Sequence, residues 1–112
     1  MEKQMENKIK RKLIEMGITP ELKGYRFFVY EIGVVRGYLD EGRNPERLME
    51  IHEAAGAPSG LSARSVDRDL RHALLVGRNR SPKFAETFAG YEDTVNTSCF
   101  IHTMAELLLM ED

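Results

Sequence analysis

The chain has no tryptophan and one cysteine, Cys99, in 112 residues. A single thiol cannot form an internal disulfide, so the fold must be held by its core, and a reducing cytoplasm is the expected setting. No apolar stretch follows the N-terminal basic residues as a signal peptide would require. Nor does any run approach the roughly 20 apolar residues of a membrane span, so no membrane partner is expected. Strand-like alternation of apolar and polar residues is also missing. What remains suits a helical globular protein: 42% hydrophobic residues exclude a disordered chain. The length suits a single domain, residues 1–112, that buries one core without metal.

Formal charge is −2, and its distribution matters more than its sum. Between Leu61 and Lys83, six cations (Arg64, Arg68, Arg71, Arg78, Arg80 and Lys83) stand against Asp67 and Asp69 alone, which leaves the rest of the chain acidic. Such polarity steers an anionic partner to one side and discourages indiscriminate contact elsewhere.

Spacing and punctuation predict six helices. Ile9, Leu13 and Met16 recur at helical intervals from about Glu2 to Met16, with Gly17 in the place of a C-terminal cap. Thr19-Pro20 reads as the opening of a second helix, in which Tyr25, Phe28, Ile32, Val35 and Leu39 share a face before Gly42 ends it. Gly33 and Gly37 inside it read as points of close helix packing. Asn44-Pro45 opens a third helix with Leu48 and Ile51 inward, stopping near residues 56–58. Ser62 caps a fourth, and Ser81-Pro82 opens a brief fifth through Phe84 and Phe88 to Gly90. Thr97 or Ser98 starts a sixth carrying Phe100, Ile101, Met104, Leu107 and Leu108. The expected fold class is all-α.

The fourth segment, SARSVDRDLRHALLVGRNR, is the most informative. At about 100° per residue, Val66, Leu70, Ala73, Leu74 and Gly77 fall on one side, while Arg64, Arg68, Arg71 and Arg78 line the other. The apolar stripe docks the helix on a core, and the guanidinium row is what a phosphate backbone or base edge would meet. Two helices joined by a turn, the second basic on its outer face, make a helix-turn-helix over about residues 45–80.

LIEMGITPELKGYRF near the start, SVDRDLRHAL in the middle and NTSCFIHTMAELL at the end are similar to one known pattern. They resemble, in order and spacing, the C-terminal DNA-binding effector domain of the sporulation initiation response regulators of endospore-forming bacteria. The most specific parts are Lys23-Gly24-Tyr25 and Val66-Asp67-Arg68 followed by Leu70-Arg71-His72-Ala73. The resemblance implies a six-helix fold whose fourth helix is the recognition helix, with Asp67, Arg68, Arg71 and His72 at the operator. In those roles Arg68 pairs bidentately with guanine, Asp67 accepts from a cytosine amino group, and Arg71 holds phosphate. Arg78 extends the same face.

The chain departs from that pattern at several positions. Ser65 stands where the family has arginine, with Arg64 one residue earlier as its substitute, and Asp69 replaces a small residue. The turn GAPSGL is longer, Glu50 and Glu53 lie on the preceding helix, and Glu92 and Asp93 replace lysine before the last helix. An altered operator preference and fewer backbone contacts follow. No receiver domain fits within 112 residues.

Little in the chain suggests catalysis. His52, His72, His102 and Cys99 lack zinc-site spacing, and Glu50, His52 and Glu53 have no nucleophile or orienting partner. No enzyme and no cofactor is expected. The implied partners are double-stranded DNA, a second copy of the chain on repeated half-sites, and RNA polymerase or a regulator. The rival reading is a protein-interaction module that keeps the helix-turn-helix and has lost the operator.

Overall fold

The computed structural model describes residues 1–45 and 47–111 of the chain. Six helices follow one another: α1 (Lys3–Glu15), α2 (Tyr25–Asp40), α3 (Leu48–Gly56), α4 (Ala63–Arg80), α5 (Pro82–Thr87) and α6 (Thr97–Met110). Short 3₁₀ turns lie at Ala57–Ser59 and Glu92–Thr94, and there is no strand among the described residues. No helix among them is long and apolar enough to cross a membrane.

One connected core holds these helices together, with α2 packed chiefly on α6 and α3 on α4. Its centre is aromatic. Phe28 of α2 meets Phe100 of α6 edge-on with ring centroids 5.1 Å apart, and Phe84 of α5 stacks on Phe100 at 5.7 Å. Such pairs add to the free energy of burying the rings themselves. Ile9 and Leu13 of α1, Ile32 and Val35 of α2, and Ile101, Met104 and Leu108 of α6 complete the interior as their spacing predicts.

Side-chain caps open α4, α5 and α6. Ser62 accepts from the Ser65 N–H at 3.2 Å and caps α4. Ser81 accepts from the Phe84 N–H at 3.1 Å to cap α5, and its hydroxyl donates to the Glu15 carbonyl at 2.6 Å. One serine thus opens α5 and ties it to the end of α1. Asn96 caps α6 by accepting from the Cys99 N–H at 2.8 Å. Gly17 ends α1 with φ +80°, in the left-handed region that glycine adopts without strain.

Two proline signals do not open helices. After Thr19-Pro20 the backbone runs through turns, with the Leu22 N–H donating to the Thr19 carbonyl and the Tyr25 N–H to the Leu22 carbonyl. The Thr19 hydroxyl donates instead to Glu21, at 2.7 Å. Likewise α3 begins at Leu48, where the Arg47 carbonyl is the first acceptor, three residues past Asn44-Pro45.

The close-packing glycines are also different ones. A Cβ on Gly37 would have nothing within 4 Å, and one on Gly33 would meet chiefly the flexible end of Met1. Gly24, Gly56 and Gly77 are points where α4 comes close. A Cβ on Gly24 would stand 2.5 Å from the Asp69 carbonyl oxygen, and one on Gly77 would stand 2.6 Å from that of Met16. The Gly24 and Gly77 approaches seat α4 against the α1–α2 connection.

Alanine substitution separates the two kinds of glycine. Gly37→Ala is expected to stabilise by about 0.4–1 kcal/mol, through helix propensity and a less flexible unfolded chain. Gly77→Ala is expected to destabilise by about 1–3 kcal/mol, because its new methyl meets backbone that cannot move aside. Urea unfolding at unchanged m-value reads both; an equal midpoint shift for the two variants would contradict the packing described.

Candidate nucleic-acid interface

Docking the apolar stripe of α4 decides what its other side presents. Val66, Leu70, Ala73, Leu74 and Gly77 are buried, so Arg64, Arg68 and Arg71 face outward. The Arg68 and Arg71 side chains are 69% and 65% exposed. Arg78 lies farther along the same face, half-buried, and donates from Nη1 to the Asp93 carbonyl at 3.4 Å. His72 is exposed at the side of the row. Ser65 is engaged in the helix cap, its N–H and hydroxyl both within 3.2 Å of the Ser62 hydroxyl oxygen. Asp69 is mostly covered, with a carboxylate oxygen 3.8 Å from Arg68 Nε.

Three further residues extend this surface beyond what spacing and resemblance indicate. Leu75, four positions after Arg71, sits in the middle of the arginine row and is exposed. Its place follows from the same 100° rule, but a leucine on that side carries no charge signal. Lys23, just before α2, and Arg26, in its first turn, line an open groove of about 510 Å³ together with Leu22, Phe27 and Arg68 and the acidic Glu21 and Asp69. Only folding brings them beside α4, because they precede it by some forty residues. Glu50 and Glu53 on α3 are exposed as well.

Behind the arginine face lies a polar cluster that spans three helices. Glu31 of α2 and His52 of α3 are both 0% exposed. His52 Nδ1 stands 2.7 Å and 2.9 Å from the two Glu31 carboxylate oxygens. On its other side His52 Nε2, buried and without a hydrogen-bond partner, is 3.6 Å from Asp67 Oδ1. Asp67 in turn holds Arg71, with Oδ2 3.2 Å from Nε across one helical turn. Asp67 therefore directs its carboxylate along α4 and inward, rather than straight out.

Spacing along the chain gives His52 no partner and does not mark Glu31. The available signal was positional, since Glu31 falls three and four residues from Phe28 and Phe27 on the buried side of α2. His102 is separately accounted for, with Nδ1 2.9 Å from the Ser98 carbonyl. Among the described residues no three His, Cys, Asp or Glu side chains are arranged so that they could hold a metal ion.

Burial raises the Glu31 carboxyl above its ordinary value of 4.5, against the lowering effect of the His52 contact. The folded state thus holds the Glu31 proton more tightly than the unfolded chain. Its contribution is complete below the ordinary value and is lost as pH rises through the raised one. Glu31→Gln, which cannot titrate, should remove this fall, seen by comparing pH series of unfolding free energy; a wild-type–variant difference that stays constant with pH would contradict it. His52→Ala leaves a buried carboxylate without its partner and is expected to cost about 3–5 kcal/mol, read by the same unfolding.

No family model, curated protein or solved structure gives a significant match to this chain.

Proposed function

We propose that the chain is a sequence-selective DNA-binding domain of transcriptional control, in which α3, the turn at residues 57–62 and α4 act as a helix-turn-helix. The observation that carries the proposal is the exposed arginine row of α4 directly opposite its buried stripe. A helix fixed to the core on one side and cationic on the other suits the major groove, whose width admits an α-helix. The sequence resemblance described above supports the same reading. It suggests a bacterial cytoplasmic setting.

The roles divide along the helix. Arg64 and Arg68, in the first two turns, are suited to base edges, since recognition helices reach bases mainly with their N-terminal residues. Arg71 and Arg78 are suited to phosphates, as are Lys23 and Arg26 across the groove. Leu75 can meet a thymine methyl group. Pairing of two copies on repeated half-sites would double these contacts.

A second reading is supported by Glu50 and Glu53, which are exposed on α3 where a DNA-facing helix would favour neutral or basic residues. On that reading the fold is a protein-interaction module, and its arginine face meets an acidic protein, such as a regulator or RNA polymerase.

Salt dependence separates the two. Fluorescence anisotropy on a pool of random duplexes should show affinity falling with a log–log slope of about −0.9 per phosphate contacted. Lys23→Ala is expected to reduce that slope by about one contact at little cost in base preference. Arg68→Ala is expected to relax preference at one base pair by about 1–3 kcal/mol. Absence of binding even at low salt would reject the DNA reading and favour the interaction module.

A further inference from the structure

We infer that Asp67 is a positioning residue that directs Arg71, and that it does not itself read a base. This rests on the DNA-binding reading of α4. The two carboxylate oxygens of Asp67 face different partners: Oδ1 lies 3.6 Å from His52 Nε2, and Oδ2 lies 3.2 Å from Arg71 Nε. An oxygen that accepts from a base amino group must point into the groove with its lone pairs free. Here one oxygen turns toward the interior and the other along the helix.

The inner end of this arrangement is rigid. His52 is 0% exposed, and its Nδ1 is clamped by the carboxylate of Glu31, also 0% exposed, at 2.7 Å and 2.9 Å. With its ring fixed from α2, His52 turns Nε2, which has no hydrogen-bond partner, toward Asp67 Oδ1 at 3.6 Å. The Asp67 side chain is 31% exposed, so solvent screens it only in part. At the outer end the Arg71 side chain, 65% exposed, would sample many rotamers if left alone. Restricting it before DNA arrives lowers the ordering cost of binding. The Glu31–His52–Asp67–Arg71 series thus connects the core to one cation of the recognition face.

A double-mutant cycle on the full chain tests the assignment, with a duplex selected from the random pool as the probe. Asp67→Ala is expected to weaken binding roughly threefold to tenfold in the native background, and to change it less than about twofold in the Arg71→Ala background. Asp67→Asn, which keeps the side chain's shape, should show the same dependence on Arg71 with a smaller loss, and covers an alanine variant that fails to fold. Equal factors in both backgrounds would overturn the inference. So would tighter binding, or altered preference at a base pair that Arg71→Ala leaves unchanged.

A second measurement needs no DNA. In the free protein the Arg71 Nε–H resonance should be resolved from the other exposed arginines and should join them in Asp67→Ala. An unchanged Arg71 resonance in that variant overturns the positioning role, even if DNA binding holds. Loss of all DNA binding with the resonance behaving as expected rejects the functional reading and leaves the Asp67–Arg71 linkage standing.

Discussion

The pairing of Glu31 with His52 is the contact on which the arrangement of the functional face depends. Two polar side chains enclosed at the junction of α2 and α3 carry a large desolvation cost, offset only where their hydrogen-bonding atoms meet. Apolar contacts tolerate small slides of one helix along another, whereas a carboxylate clamped on one ring nitrogen does not. The pair therefore selects one register of α3 on α2. Because α3 packs on α4 and His52 reaches Asp67, that register carries through to the arginine row.

The second constraint is how closely α4 lies against the rest of the fold. Gly56 lets α3 approach α4 at Val66, Gly24 comes close midway along the buried stripe at Asp69, Gly77 lies at its far end, and Ser81 closes that end by bonding to the last turn of α1. A helix held at both ends and along one side has little freedom to roll. Its outward side chains then form a fixed surface, and one of them, Arg68, lines a groove together with Lys23 and Arg26. Preorganisation of this kind suits recognition of a rigid partner such as duplex DNA.

Much of this was readable from the chain because it is governed by local rules. The two faces of α4, the Ser62 and Ser81 caps and the inward residues of α6 all follow from helical period and capping chemistry. Neither Thr19-Pro20 nor Asn44-Pro45 opens a helix: the Thr19 hydroxyl donates to Glu21 instead of capping, and the backbone runs through turns to Tyr25. For Asn44-Pro45 the cause is local, since no side chain there caps α3. Glu31 and His52 lie 21 residues apart on different helices, and glutamate is so commonly a surface residue that its place on a buried face carries little weight alone. The inward direction of Asp67 was hidden for the same reason, because spacing places a residue on a face and leaves its rotamer open.

Backbone amide shift mapping of the isotope-labelled full chain against a duplex at low salt tests, residue by residue, the proposal that the outer face of α4 meets DNA. Perturbations concentrated at Arg64, Arg68, Arg71, Leu75 and Arg78, with a second set at Lys23 and Arg26, are the predicted result. Perturbations confined to α1 and α6, or none at saturating duplex, would contradict it.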